Sequence, residues 1–178
     1  MKYPLLTERL SIQPLSMADL GFFVSYRQDP KIARYQGWEP SYSDAQGAEL
    51  IQSQTGVLLP AIGDWLQLAV HERASGLLIG DIAIHRSKDE ESVFEIGFTI
   101  ASEHQGQGFA TEAVSSLMDS LFSEVGARKL IAATDRRNKP SINLLLKLGF
   151  VQIPEKSWIE EFKNETVTVD FFETVPKP

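Results

Sequence analysis

Two kinds of chemistry can be read from the stretch between Ser92 and Ala113. The first is proton transfer. Glu95 stands between Phe94 and Ile96 in the run SVFEIGFTI. A carboxylate among apolar neighbours is pushed above its ordinary pKa, where it can accept a proton near neutrality, directly or through water. The same glutamate would equally suit a solvated strand position or a structural ion pair. The second is anion binding. In HQGQGFATEA, Gly106 and Gly108 precede a helical pattern that opens at Phe109. Glycine is a poor helix former, so a pair at a helix entrance points to a backbone needed for something else. The unbonded N–H groups of a first helical turn, with the helix dipole behind them, suit a phosphate. With no Cβ at 106 and 108, an anion can approach the amides from Gln107 to Thr111, and Thr111 adds a hydroxyl. A G-x-x-x-x-G-K-[ST] loop does not occur. A G-x-G-x-x-G fingerprint would need glycine where Thr111 stands, just after the first strand of a parallel sheet. The pattern that fits is Q-x-x-G-x-A, carried by Gln105, Gly108 and Ala110. A glycine-eased tight turn is the plain alternative.

These residues need a strand, a turn and a helix in succession, and the periodicities supply them. WLQLAVHE and GLLIGDIAIHR, joined through RASG, read as a hairpin, and SVFEIGFTI extends it to a three-stranded antiparallel meander. Phe94, Ile96, Phe98 and Ile100 share one face of that last strand; Glu95, Gly97 and Thr99 share the other. Apolar residues from Ala110 to Val125 recur at helical spacing, and Gly126 closes that helix. RKLIAATD is a buried strand. NKPSINLLLKLGF is a short helix with Pro140 in its first turn and Gly149 at its end. Upstream, RLSIQPL is a strand from Arg9 to Leu15. Ser16 with Asp19, and Ser43 with Gln46, are capping-box starts; the second opens a helix over Asp44 to Val57. FVQI and VTVDFFETV are two final strands joined by a polar, Trp-containing loop. The expected fold class is α+β: a mixed, mostly antiparallel sheet of six to seven strands with about four helices.

Composition excludes several alternatives. The 178 residues carry a net charge of −7 and no cysteine. Disulfides, thiolate metal sites and a cysteine nucleophile are ruled out, and general nucleic-acid affinity is not expected. His71 and His85 lie at matching phases of paired strands, but no third ligand is spaced for a metal, so none is expected. No apolar run reaches membrane-span length, and the N-terminus lacks a long apolar leader segment. The expectation is one cytoplasmic domain over residues 1–178.

FEIGFTIASEHQGQGFATEAV, followed about 30 residues later by NKPSINLLLKLGF, resembles the GNAT superfamily of acyl-CoA-dependent N-acyltransferases, in its RimJ/RimL-type branch. The element order matches over nearly the whole chain. The resemblance implies acetyl-CoA as donor, with no metal. Its pyrophosphate would lie on the amides of Gln105, Gly106, Gln107, Gly108, Phe109, Ala110 and Thr111. Its pantetheine would lie in a V-shaped slot beside a bulged strand, near Phe98, Thr99 and Ile100. Asn138 and Ser141 would face that arm, and Glu95 would be the base. The family's usual thiolate-protonating tyrosine corresponds here to Leu145, which leaves Ser141, water or no acid at all. The charge of the coenzyme calls for local cations, and Arg136, Arg137, Lys139 and His104 are candidates.

The acceptor side implied by the resemblance comprises RYQGWEPSY and the stretch from Trp158 to Phe162. Arg34, Tyr35, Trp38 and Tyr42 either line the acceptor cleft or form a satellite core. Asp89, Glu90, Glu91, Glu155, Glu160 and Glu161 either attract a cationic amine or are simply solvated. The acceptor is a protein N-terminus, a polyamine or another small amine, and the protein is a monomer or a homodimer. The alternative function is a non-catalytic acyl-CoA sensor on the same fold.

Overall fold

The computed structural model describes residues 1–176. Five antiparallel strands run in order across one half of the sheet: β1 (Leu5–Leu6), β2 (Leu10–Pro14), β3 (Trp65–Glu72), β4 (Leu78–Arg86) and β5 (Val93–Ile100). The segment between β2 and β3 holds α1 (Leu20–Arg27), α2 (Pro30–Ala33) and α3 (Asp44–Ser53). After β5 come α4 (Phe109–Ser120), β6 (Lys129–Asp135), α5 (Lys139–Lys147), β7 (Val151–Gln152), β8 (Trp158–Phe162) and β9 (Glu165–Thr174). β6 lies parallel to β5 and antiparallel to β9; β7 and β8 both pair with β9.

The fold class is the one expected, with a larger sheet: nine strands among the described residues rather than six to seven. One addition is the two-residue β1. The other is β8, in the segment expected to be a loop. Its side chains are mostly exposed, so no apolar alternation marks it as a strand. Its turn into β9 places Lys163 and Asn164 at φ 53° and 61°, the paired left-handed conformation of a two-residue hairpin turn. α3 opens on the expected Ser43–Gln46 box but ends at Ser53, short of Val57. α4 runs into a π-helical turn, Leu121–Val125, closed by Gly126 at φ 78°.

The sheet buries both faces. On one, Leu66, Leu68, Ile84, Phe94 and Ile96 pack against Ala113, Val114 and Leu117 of α4 and Leu145 of α5. Each fully buried Leu or Ile contributes roughly 1.5–3 kcal/mol. On the other, Ala69 and Leu78 pack under Phe23, Val24 and Ile51 of α1 and α3.

One irregularity shapes the centre. β5 pairs with β4 without a break, from Gly80↔Ile100 to Arg86↔Phe94. With β6 it pairs only from Val93↔Lys129 to Glu95↔Ile131, while β6 stays on β9 to Asp135. Beyond Glu95 the two strands diverge into a slot. The expected bulge in β5 is absent. The ladder breaks one hairpin earlier, between Val70 and His71. Gly80 follows that break, where a Cβ would overlap the carbonyl oxygen of Thr99.

Candidate active site

An open cleft of about 670 Å³ follows the slot. Ile96 to Ile100 form one wall and Ala132 to Thr134 the other. The glycine turn, α5 and the residues Lys31, Ile32, Tyr35 and Gln36 complete the lining.

At the turn, Gly106 and Gly108 take φ values of 74° and 83°. The first helical bond of α4 runs from Glu112 N to Gly108 O. The N–H groups of Phe109, Ala110 and Thr111 therefore precede the ladder and stay available to an anion. A Cβ at Gly106 would meet nothing within 4 Å, so this edge of the cradle is open. Gln105, Gly106, Gly108, Phe109, Ala110 and Thr111 all line the cleft, whereas Gln107 does not. Its side chain folds back onto Glu103 O and its carbonyl accepts from Arg9 Nη1 at 3.0 Å.

Arg9 acts at the turn without any local sequence signal. Its guanidinium meets Glu112 at 2.7 Å and stacks over Phe109. Thr7 Oγ1 donates to the same carboxylate at 2.5 Å. Desolvation pushes Glu112 up in pKa, but the hydrogen bonds from Thr7 and Arg9 outweigh it and hold the carboxyl below its usual range. The start of the chain thus clamps the first turn of α4. No local pattern announces a contact across 103 residues.

In the slot, Ala101 N bonds to Ile79 O on β4. Alternation along a strand then aims the N–H and C=O of Phe98 and Ile100 away from β4, into the slot. The Ile100 carbonyl accepts from Gln105 Nε2 at 2.8 Å. From α5, Asn138 caps the helix by accepting from Ser141 N, and both residues line the cleft. Leu145 also lines it but is 1% exposed, packed into the main core.

Glu95 lies where the slot begins. Successive register pairs align Trp65, His85, Glu95 and Ile131 in one row on the face opposite α4. The Trp65 ring stacks on His85, with centroids 4.9 Å apart at 27°. His85 Nδ1 is 3.8 Å from the Glu95 carboxylate. Burial holds the Glu95 carboxyl above its usual pKa, and His85 partly offsets this. The cleft lining stops at Ile96, one residue short of Glu95, and includes Gly97, the next residue on the Glu95 face.

The aromatic loop divides. Tyr35 lines the cleft, with the Arg34 guanidinium 5.3 Å from its ring. Trp38, expected at the acceptor site, packs elsewhere. It stacks on Arg27 at 3.9 Å and donates its Nε1–H to Arg27 O. Arg27 also lies against Phe23 and Tyr42 and faces buried Asp81 at 3.5 Å, so Trp38 and Tyr42 belong to a satellite core. None of Trp158 to Phe162 lines the cleft. The β8–β9 turn acts from a distance: Lys163 Nζ donates to Ala33 O and Trp38 O, pinning the segment that carries Tyr35.

The expected cations are also redistributed. Arg136 pairs with Asp170, and Arg137 with Asp135 and Glu165, so neither reaches the cleft. Lys139 does not line it either; Lys31, His104 and Lys147 do. His71 is bound to Asp19 at 2.7 Å. No cluster of three metal-ligating side chains occurs among the described residues. No helix among them is long and apolar enough to cross a membrane.

Comparison with known proteins gives three kinds of match. Residues 9–151 fit the family described as an acetyltransferase (GNAT) domain. The Bacillus licheniformis protein named uncharacterized N-acetyltransferase p20 is 28% identical over 168 residues, 94% of this chain and 93% of its own. The uncharacterized N-acetyltransferase YoaA of Bacillus subtilis is 30% identical over 149 residues, 83% of each chain. Among solved structures, spermidine N-acetyltransferase from Vibrio cholerae in complex with CoA and spermine superimposes with a TM-score of 0.81 at 23% identity. That match covers 95% of this chain and 96% of the other.

Proposed function

The chain belongs to the GNAT acetyltransferase family, and within it we propose a RimJ/RimL-type, acetyl-CoA-dependent N-acetyltransferase, one domain over residues 1–178. It acetylates a primary amine by direct attack while donor and acceptor are bound together. The observation that carries this reading is the slot itself: β5–β6 pairing ends at Glu95, and the glycine turn closes the other end.

The residues present fit coenzyme A. The amides of Phe109, Ala110 and Thr111 and the open edge at Gly106 suit its pyrophosphate, with Lys31 and Lys147 as cations in the cleft lining and His104 as a further hydrogen-bonding group there. Ile96 to Ile100 span about 13 Å at strand rise, giving an extended arm main-chain partners at Phe98 and Ile100 along the way. Asn138 and Ser141 flank that arm. When bound, acetyl-CoA supplies the acetyl thioester. Glu95 takes a proton from the acceptor ammonium, directly or through water. The slot N–H groups of Phe98 and Ile100 polarise the carbonyl. The N–C bond forms, the C–S bond breaks, and the amine's second proton leaves with the thiolate or to solvent. A thiol of pKa about 8.5 departs without an acid, so Leu145 at the tyrosine position is no obstacle.

Acceptor classes at this level are protein N-termini, polyamines and small amines; the relative solved with spermine admits the polyamines. The test is thiol release from acetyl-CoA across an amine panel, with Glu95→Gln as control. Turnover lost in Glu95→Gln, with coenzyme A affinity kept, supports the reading. Tight acetyl-CoA binding without wild-type turnover on any amine would return the chain to an acyl-CoA sensor.

A further inference from the structure

A turn rich in glycine does not hold its own shape. Glycine at 108 accepts either orientation of the peptide before it, and the two are opposite in chemistry: one presents an N–H to the cleft, the other a carbonyl oxygen. The contact that bears on this choice comes from outside the turn. Arg9, just ahead of β2, donates from Nη1 to Gln107 O at 3.0 Å. Its Nη2 lies 3.5 Å from where a Cβ on Gly108 would be. The Gln107–Gly108 peptide is trans, so a carbonyl held towards Arg9 turns the Gly108 N–H the other way. Gly108 lines the cleft, whereas Arg9 and Gln107 do not. No backbone acceptor among the described residues takes the Gly108 N–H.

The same arginine meets a problem of charge. Glu112 lies in the first turn of α4 and is ionised at neutral pH. A carboxylate there competes with a bound anion for the positive end of the helix. Phe109, Ala110 and Thr111 give that turn no cation of its own, and the lysines of the cleft lining, Lys31 and Lys147, belong to α2 and α5. Glu103, the other carboxylate beside the turn, is exposed. Arg9 covers Glu112. Its Nε and Nη2 each reach Oε2 at 2.7 Å, and its backbone N–H reaches Oε1 at 2.9 Å, where Thr7 Oγ1 also donates. These donors fill the roughly four lone-pair sites of a carboxylate. With Nη1 on Gln107 O, every guanidinium nitrogen is engaged, and the ring of Phe109 lies 4.4 Å from the guanidinium carbon. Arg9 therefore acts through the turn and not by touching a ligand.

We infer that Arg9 is a positioning residue for the acyl donor: it turns the Gln107–Gly108 peptide so that the Gly108 N–H joins those of Phe109, Ala110 and Thr111 at the pyrophosphate, and it cancels the Glu112 charge beside them. This rests on the donor reading proposed above.

The test is calorimetry of coenzyme A into the full chain, with the melting temperature of each variant as the check on its fold. Arg9→Met should weaken binding about thirtyfold. Adding Glu112→Gln removes the uncovered charge and should recover at least about fivefold of that loss. The ratio of Arg9→Met to wild-type Kd should also fall as salt is raised, because the repulsion is screened. Glu112→Gln alone leaves Arg9 unbalanced near the phosphates and should tighten binding about two- to fivefold; it carries the test if Arg9→Met does not fold. An arginine that merely ties β2 to α4 predicts the reverse: the double variant binds no better than Arg9→Met, and Glu112→Gln alone weakens binding. Either result in a folded protein overturns the inference, as does an Arg9→Met variant that binds like wild type. A wild-type chain that binds no coenzyme A overturns the donor reading and this inference with it; wild-type binding with unaffected variants overturns this inference alone.

Discussion

The two sides of the cleft are built from different material. The side proposed for the donor is backbone: two left-handed glycines, three unladdered amides and a strand edge with no strand opposite. The side proposed for the acceptor is side chains from distant segments: Tyr35, which lines the cleft after α2, and Glu95 on β5, one residue beyond the lining, with His85 of β4 beside it. A backbone cradle depends on local conformation, so it tolerates few residues at fixed spacing. A side-chain wall depends on register and packing, so its residues can change without altering the fold.

The contrast predicts how each side breaks. The largest effect should come from Glu95→Gln, which removes the proposed base: kcat should fall roughly 10²- to 10⁴-fold with acetyl-CoA Kd unchanged. In wild type the acid limb of the rate profile should lie above the ordinary carboxylate range, because burial raises Glu95, and the variant should lack that limb. Stability should move the other way. A carboxyl whose folded pKa is raised destabilises the fold once pH climbs through that value. Glu95→Gln should therefore melt higher than wild type near pH 8, and the gain should vanish below about pH 4.

Next comes the donor side. Gly108→Val puts a branched residue at φ 83° and a methyl-bearing Cβ beside the amides. Acetyl-CoA binding by calorimetry should weaken about a hundredfold, about 2.7 kcal/mol. Undiminished binding in a folded variant would sink the pyrophosphate assignment. Lys163→Met tests the opposite side. Freeing the Ala33 and Trp38 carbonyls should raise acceptor KM about three- to tenfold with no change in acetyl-CoA Kd; a loss of donor affinity would erase the division between the sides. The smallest effect belongs to Ser141→Ala. If the thiolate leaves unaided, kcat should change by less than about twofold.

The same division explains what the sequence disclosed. The glycine turn, the meander, α4 and α5 were legible because each depends on neighbours within a few residues. The slot was expected from resemblance, but its cause was not: no β5 bulge exists, and divergence follows from pairing that stops at Glu95. Arg136 and Arg137 look like phosphate ligands in a basic turn, yet carboxylates on β6 and β9 hold them, and strand pairing alone brings those groups together. Trp38 reads as either a cleft or a satellite-core residue, because Arg27, eleven positions earlier, gives no sign in the sequence of being buried under it. The hairpin register that sets the phase of His85 also places Trp65 opposite it.

The slot can also be described as a pair of sheet edges facing each other inside a molecule. Exposed edges invite pairing with foreign strands, and proteins commonly blunt or cover them. Here the edges of β5 and β6 are sheltered by divergence. A strand needs about 4.8 Å on each side to bond both neighbours, and two edges that open at an angle offer that spacing along no common length. A thin, flexible chain with widely spaced amides can bridge such a wedge where a polypeptide cannot. The geometry proposed to admit the donor is then also what keeps the open centre of the sheet from recruiting another copy of itself.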